Sequence, residues 1–428
     1  MTNYIAIPPT RSVRGTLAAP PSKSGTNRAL LLAALSPAPV EIVHPLDSAD
    51  TRALLRCLTA MGAVVGATPA GLTVRGPLGR ASGEEVVLDA GDSGTAARFL
   101  AAVAAAVPGS YRLTGSAQLE RRPMAELVAA LRSAGASIES GGAPDSLPFA
   151  IRGGSLRSGE IAVDASRSGQ FLSAILIAGV AVDGGLTVRP GGAVASAPYV
   201  EVTANAIAEF GHSMERRADG FFVERGSATP ASYEVPGDWS SALPFFAAAG
   251  IAGGEVRVTG LRWPSPDADA RALDVVAAMG VEVERSAGEI RARRIGGALA
   301  PVAVEARDFP DAVPALAALA MFANGETRFR GIAHLRWKES NRIAGVQALA
   351  DAAGVRCAAG EDEIAITGPP AGVERATRRV PTFDDHRLAM AAGLVSLALP
   401  SLLVESPDCV GKSYPRFFRD LETILVRD

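Results

Sequence analysis

Cysteine is scarce. Cys57, Cys357 and Cys409 are the only three in 428 residues, odd in number, far apart and in no metal-ligand spacing. That excludes a disulfide framework and a zinc knuckle, fits a reducing compartment, and leaves the thiols as structural residues. Aromatic residues make up 5% of the chain and the net charge is −3, so the basic, aromatic-rich surface of a nucleic-acid binder is missing and any cationic site must be local. No clean membrane span is present either. The longest apolar stretch, 388–404, is broken by Gly393, Ser396, Pro400 and Ser401, and it reads as a buried helix followed by a strand. The opening MTNYIAIPPT has neither a basic start nor an apolar run, so it does not read as a signal peptide, and a cytoplasmic location is expected.

What the chain has is a large apolar inventory. Hydrophobic residues form 48% of it and glycine fills 45 positions, which describes a well-buried globular protein built on Ala, Leu and Val. At 428 residues it exceeds one typical core, and two domains are the starting expectation. A helical segment recurs at 51–62, 123–135, 200–211, 267–280 and 343–354, each closed by a glycine and followed by short alternating strands. The closing glycine suits a left-handed cap, and the spacing of about 70 residues marks an internal repeat.

Between these copies lies a second kind of segment: a short strand, a polar loop, then a helix apolar nearly all round. The loops span 22–28, 91–98, 166–170, 237–241, 308–311 and 384–387, and six such units divide into two domains of three. A helix apolar on every face must lie inside a domain. A solenoid would expose polar capping units at its ends, and none is visible. Equivalent loops on equivalent helices predict that the helix starts of both domains gather at one interdomain anion cleft. The first loop, in PPSKSGTNRALLLAAL at 20–35, shows the chemistry. Ser24 or Thr26 is expected to cap the helix, whose free first-turn N–H groups and positive dipole end favour a phosphate or carboxylate. Lys23 and Arg28 oppose that dipole by about 0.3–1 kcal/mol each, which makes sense if an anion joins them.

Further candidates are Arg122 in LERRPM, Lys338, Glu339 and Arg342 in LRWKESNRI, Asp311 in FPDA, His386 and Arg387 in DDHR, and Lys412 in VGKSYP. Any one basic residue alone reads as a solvated surface charge. Lys338 and Arg342 stand four residues apart, on one face if their segment is helical. Asp311 precedes an apolar run, where an N-cap is the structural alternative.

Nine motifs in order resemble the 5-enolpyruvylshikimate-3-phosphate synthase family: SKSGTNRALLLAAL, GDSGTAARFL, LTGSAQLERRPMAELVAALRSAG, SGQFLSAIL, SAPYVEVTANAI, FPDAVPALAALAMFANG, GIAHLRWKESNRI, FDDHRLAMA and GKSYPRFFRDL. They cover essentially the whole chain. The resemblance implies an α/β fold of two similar domains, each of three βαβαββ repeats in an inside-out α/β barrel, with an interdomain active site. The domains would be 21–237, and 1–20 with 238–428. It also implies transfer of the enolpyruvyl group of phosphoenolpyruvate to the 5-hydroxyl of shikimate 3-phosphate with release of phosphate, a step of the shikimate pathway to chorismate and the aromatic amino acids. No metal and no organic cofactor is implied, and the partners are those two small molecules, with no nucleic acid or membrane and a monomeric enzyme.

By matched position, the resemblance gives Lys23, Gly94, Arg122, Gln170, Arg342, Arg387 and Lys412 to phosphoenolpyruvate. It gives Lys23, Ser24, Arg28, Ser168, Gln170, Ser196, Tyr199, Asp311 and Lys338 to shikimate 3-phosphate. Asp311 would take the hydroxyl proton and Glu339 donate to the methylene, with Lys23, Lys338 and His386 also in the catalytic set. Flanking cations at 338 and 342 oppose an acid role for Glu339, so Lys338 or His386 is the alternative relay. Charge supports the set: two phosphates and two carboxylates bring roughly −5 to −6, which the seven cations among these residues match.

Four positions depart from the family's pattern: Gly169 for a second Ser, His334 for Asn, Asp92 for Asn before Gly94, and Ala197 for a frequent Lys. The nearest rival family, UDP-N-acetylglucosamine enolpyruvyl transferase, typically carries a reactive Cys or Asp in a loop of the first domain, and no Cys lies between Cys57 and Cys357. An RNA-terminal-phosphate cyclase would need a basic stripe, and a non-enzymatic repeat scaffold would have no reason to place cations at the loops of both halves.

Overall fold

Each of the six polar loops opens a helix buried on almost every face. These helices are Lys23–Leu35, Gly94–Ala106 and Gln170–Gly179, then Trp239–Ala252, Val313–Ala320 and His386–Ala398. Their Ala, Leu and Val side chains leave no polar face to turn toward water, and each buried Leu contributes about 1.5–3 kcal/mol relative to exposure. The stretch 388–404 resolves as expected into the last of these helices and the strand Leu402–Glu405.

The computed structural model describes residues 3–79, 83–226, 228–265, 267–369 and 377–427. They fall into two units, Pro21–Val235, and Met1–Pro20 with Pro236–Asp428. In the first, the helix Gln170–Gly179 packs against both Lys23–Leu35 and Gly94–Ala106. In the second, Trp239–Ala252, Val313–Ala320 and His386–Ala398 pack on one another. Each unit has its own continuous apolar core.

Sheets cover these helices, and their strand pairing repeats. In the Pro21–Val235 unit, Glu85–Asp89 pairs parallel with Ser110–Thr114, which pairs antiparallel with Phe149–Arg152, and Ser137–Ser140 completes the sheet. The pattern returns with Gly159–Val163 beside Leu186–Pro190 and with Ala303–Glu305 beside Gly325–Arg330. The recurring strand, helix and hairpin thus give an α/β fold with, among the described residues, three sheets in each unit. The more regular helices of the repeat end where glycine was expected to end them: Gly62, Gly135, Gly211, Gly280 and Gly354 all have positive φ. The fourth copy opens as a 3-10 turn, Ala268–Arg271, before Ala272–Ala278 continues as α-helix.

Pairing also explains why the first twenty residues belong with the last two hundred. Ser12–Ala18 lies inside a five-stranded sheet, parallel to Gly254–Thr259 and antiparallel to Leu425–Val426. Tyr4–Ala6 pairs antiparallel with Leu402–Glu405. In the other unit the late strand Ser232–Glu234 returns to pair parallel with Val40–Val43 near the unit's start. All three cysteines are free thiols. Burial pushes Cys57 and Cys409 up to about 12 and Cys357 up to about 11, which makes them poor nucleophiles.

Val13 is fully buried in the strand Ser12–Ala18, and its N–H donates to the Gly253 carbonyl at 2.9 Å. Val13→Asp should destabilise the unit by about 3 kcal/mol or more, because it places an unpaired charge in an apolar core. Trp239, Trp263 and Trp337 all belong to this unit, so the loss should appear as a lower urea midpoint of tryptophan fluorescence. An unchanged midpoint would mean that the N-terminal strand is not part of that fold.

Candidate active site

In the Pro21–Val235 unit, the helix Lys23–Leu35 is capped by Ser22, whose side chain accepts from the Gly25 N–H at 3.1 Å. The expectation of Ser24 or Thr26 fails because both hydroxyls are engaged elsewhere. Thr26 Oγ1 accepts from the Leu46 N–H at 3.0 Å, and Ser24 Oγ accepts from Arg28. The two cations at this helix start also find partners within the protein. Lys23 Nζ lies 3.3 Å from the carboxylate of Asp50, a nearly buried residue at the start of the next helix that sequence reasoning missed. Arg28 is 2% exposed and donates to Thr203 Oγ1 at 2.7 Å, the Tyr199 carbonyl at 3.1 Å and the Ser24 carbonyl at 3.0 Å, with its guanidinium over the Phe99 ring. The side chain therefore fastens the first helix to Pro198–Glu209.

Gly94 and Arg122 meet directly: a Cβ at Gly94 would overlap the Arg122 guanidinium. Arg122 follows a short turn, Ala117–Glu120, whose cap Ser116 bonds the Asp92 carboxylate. This hydrogen bond holds the turn in front of Gly94, and an asparagine Oδ1 could accept it equally, so the structure gives no reason for aspartate at 92. Gln170 opens its buried helix with both ends of its amide satisfied: Oε1 accepts from Arg98 at 2.6 Å and Nε2 donates to Thr95 at 3.0 Å. Beside it, Ser168 Oγ accepts from the Gln170 N–H at 3.3 Å. A Cβ on Gly169 would come 2.5 Å from the Ala195 carbonyl, so this backbone contact excludes a serine at that place. Ser196 next to it is buried and holds a left-handed φ of 56°, immediately before the exposed Ala197 and the helix that carries Tyr199.

In the other unit the centre is Arg342, 1% exposed. It donates to Asp311 at 2.7 Å, to Glu339 at 2.8 Å and to Asp385 at 2.9 Å. Lys338 Nζ and Arg387 Nη2 each lie 3.8 Å from Asp311. Asp311 is not an N-cap, because the helix Val313–Ala320 starts from Ala312 with no side-chain cap bond, and its carboxylate turns to the cations instead. Nor do Lys338 and Arg342 share a helical face. Lys338 is extended, Asn341 caps the helix Arg342–Ala353, and the loop between them brings both cations to Asp311. Burial alone would raise the Asp311 pKa, but Arg342, Lys338 and Arg387 outweigh it and hold the carboxyl well below the usual carboxylate range. Burial likewise opposes the charge on Arg342, and Asp385, Glu339 and Asp311 overcome it.

The remaining candidates surround this cluster. Asp385 caps the helix His386–Ala398 by accepting from the Arg387 N–H at 2.9 Å, and it also accepts from Ser340 Oγ at 3.1 Å. His386, 1% exposed, has Nδ1 3.9 Å from the same carboxylate. Arg387 donates to Ser240 and to Ser241 at the start of Trp239–Ala252, where Asp238 is the cap. Lys412 Nζ donates to the Asp384 carbonyl at 3.0 Å, from a segment in which Phe383 and Asp384 both have positive φ. His334 is 7% exposed, and burial together with Lys338 pulls it down to about 3, so this imidazole is neutral at working pH. Asp385, Asp238, Ser240 and Ser241 lie in two of the polar loops marked from sequence, 237–241 and 384–387, but were not named there as site residues. DDHR and GDWSS carried the only signal for them, as polar residues directly ahead of buried helices.

Among the described residues no three His, Cys, Asp or Glu side chains are grouped to hold a metal ion, and no helix is long and apolar enough to cross a membrane. Two sets of basic side chains at helix starts, one in each unit, are suited to anionic ligands, and the second includes an ionised carboxylate able to accept a proton.

Comparison with known proteins agrees with that chemistry. The sequence profile of EPSP synthase (3-phosphoshikimate 1-carboxyvinyltransferase) matches residues 7–421. A 3-phosphoshikimate 1-carboxyvinyltransferase of Tolumonas auensis is 37% identical over 435 aligned residues, covering 99% of this chain and 100% of that protein. The Methanopyrus kandleri protein of the same name is 39% identical, with coverage of 97% and 96%. The solved structure of EPSP synthase from Acinetobacter baumannii superposes with a TM-score of 0.79 at 25% identity, over 99% of this chain and 98% of the other. With a profile match along nearly its whole length and relatives above 35% identity aligned over at least 96% of both chains, the chain belongs to the EPSP synthase (3-phosphoshikimate 1-carboxyvinyltransferase) family.

Proposed function

We propose that this protein transfers the enolpyruvyl group of phosphoenolpyruvate to the 5-hydroxyl of shikimate 3-phosphate and releases phosphate, a step of the shikimate pathway to chorismate and the aromatic amino acids. The observation that carries the mechanism is the Asp311 carboxylate facing Arg342 at 2.7 Å and Lys338 and Arg387 at 3.8 Å. This reading takes Lys23, Gly94, Arg122, Gln170, Arg342, Arg387 and Lys412 as the phosphoenolpyruvate ligands. Ser24, Arg28, Ser168, Ser196, Tyr199, Asp311 and Lys338 hold shikimate 3-phosphate, with Lys23 and Gln170 shared.

The acid and base follow from the exchange of partners. As long as three cations hold it, Asp311 is ionised but a weak base. When the carboxylate and phosphate of phosphoenolpyruvate engage Arg342 and Arg387, those charges are shared, and the proton affinity of Asp311 rises as the 5-hydroxyl arrives. Arg342 is also the guanidinium paired with Glu339 at 2.8 Å, so the same exchange releases Glu339, and a carboxyl freed from a guanidinium holds a proton more readily. In the addition, the hydroxyl oxygen attacks C2, Asp311 takes its proton, and Glu339 delivers one to C3. In the elimination, the Glu339 carboxylate takes a proton back from the new methyl group, the C2–O bond to phosphate breaks as the phosphate leaves with the proton from Asp311, and the enol double bond returns. The reading further takes the enzyme as a cytoplasmic monomer, with the domains 21–237 and 1–20 plus 238–428, that needs neither metal nor organic cofactor.

Phosphate release with phosphoenolpyruvate and shikimate 3-phosphate tests the reaction, and release with UDP-N-acetylglucosamine in place of the shikimate would assign it to the rival family. Asp311→Asn should lower kcat by about 10²–10⁴-fold while shikimate 3-phosphate still binds in calorimetry. Glu339→Gln should suppress solvent-hydrogen incorporation into the methylene at least as strongly as turnover. Normal incorporation in that variant would move the donor role to Lys338 or His386.

Arg122→Ala and Lys412→Ala should raise the KM for phosphoenolpyruvate by about tenfold or more with little change in melting temperature, since each removes a charged hydrogen bond completed by ligand. Gly94→Ala should act in the same direction, because its Cβ would displace the Arg122 guanidinium. Wild-type KM values in all three would remove these residues from the phosphoenolpyruvate site.

A further inference from the structure

Arg98 is a buried cation to which the reaction assigns no part. It sits one turn into the helix Gly94–Ala106, is 2% exposed, and stacks its guanidinium over Phe171 at 5.2 Å from the ring centre. Burying a charge is costly unless it is paired or fully hydrogen-bonded, and two of the bonds that hold Arg98 lead directly to ligand-binding elements. Nη1 donates to Gln170 Oε1 at 2.6 Å, and Nη2 donates to the Pro123 carbonyl at 3.1 Å, the peptide that follows Arg122.

We propose that Arg98 is a positioning residue for the reaction, one that sets the amide of Gln170 and the backbone of the Arg122 loop at the same time. The inference rests on the assignment of Gln170 and Arg122 as ligand residues made above. A guanidinium is a rigid planar fork, so fixing one arm on Gln170 fixes the direction of the other toward Pro123. Accepting from Arg98 also decides which way the Gln170 amide faces: Oε1 is committed to the cation, and Nε2 is left for Thr95 Oγ1 at 3.0 Å and for substrate. The Arg122 loop is fastened to the same helix start at two more points, Ser116 to Asp92 and the Ser116 N–H to the Gly91 carbonyl at 2.9 Å. Neither of those bonds touches Gln170, whereas Arg98 bonds both the residue shared by the two substrates and the backbone beside the cation that binds one of them.

The test is a double-mutant cycle on the full-length enzyme with Arg98→Met and Gln170→Ala, measured as kcat/KM for each substrate. Methionine keeps an unbranched stem beside Phe171 and removes the fork. Arg98→Met should raise the KM for phosphoenolpyruvate by about tenfold to hundredfold, and that for shikimate 3-phosphate by a smaller factor, since a displaced ligand group loses its alignment. In the Gln170→Ala background the same substitution should cost at least about fivefold less in the kcat/KM for shikimate 3-phosphate. Arg98→Lys, which offers a point charge without the fork, should recover part of the KM, and it serves as the probe if Arg98→Met does not fold. A merely structural Arg98 would lower the amount of active enzyme, hence apparent kcat, and leave both KM values unchanged. That result, or an equal cost in both backgrounds, would overturn the proposal. Wild-type turnover of the substrate pair is measured alongside, so failure of the assigned reaction is distinguished from failure of Arg98 to act through Gln170.

Discussion

The charged cluster in the unit that holds Pro236–Asp428 depends on one buried charge. Arg342 is 1% exposed, and a guanidinium removed from water is tolerated only when its donors are met by well-placed acceptors. Asp311, Glu339 and Asp385 meet them, and each comes from a different part of the fold. Asp385 is the cap of a buried helix, Asp311 precedes another, and Glu339 lies in the loop ahead of the helix that Arg342 itself begins. Satisfying one cation therefore fixes the relative placement of three helix starts. Removing any one partner would leave one donor of that guanidinium unmet while two carboxylates still balance its charge, a loss of about 1–3 kcal/mol.

The same economy governs the other unit on a smaller scale. A helix apolar on every side has nowhere to put polar groups except its ends, so its first turn is where side-chain chemistry collects. Arg28 ties Lys23–Leu35 to Pro198–Glu209 through Thr203 and Tyr199, and Arg98 ties Gly94–Ala106 to Gln170–Gly179 through Gln170. Both stack on phenylalanines of the neighbouring buried helices, Phe99 and Phe171. Cations that would be dispensable on a surface thus serve as struts between helix starts, and the residues assigned to substrate stand on those struts.

Substrate binding, on this account, is an exchange of partners more than the filling of a void. Lys23 rests on Asp50, Arg342 on three carboxylates, Arg387 on Ser240 and Ser241, and Lys412 on a backbone carbonyl. Under the proposed reaction, anionic ligands compete for these cations, and two of the carboxylates that would be released, Asp311 and Glu339, are those assigned to proton transfer. The proposed reading couples binding to proton affinity through the same guanidinium, so that two carboxylates of one cluster would serve as acid and base.

The sequence by itself determined the architecture and the identity of the charged residues. Periodicity marked the buried helices, the closing glycines and the hairpins, because these depend on contacts a few residues apart, and 388–404 resolved into helix and strand as read. The ordered motifs were enough to recognise the family. Only the tertiary structure decided what each charge touches. The choice of Ser22 over Ser24 as the first cap is a local matter of where the helix begins. That Thr26 serves Leu46, that Asp311 faces cations and not its own helix, and that Lys338 reaches it from an extended loop follow instead from partners 20 or more residues away in the chain. Asp50, Asp385 and Arg98 stayed hidden for the same reason. A side chain's role in a pair is set by the partner's position, and no local spacing encodes a contact between Arg98 and Gln170, 72 residues apart.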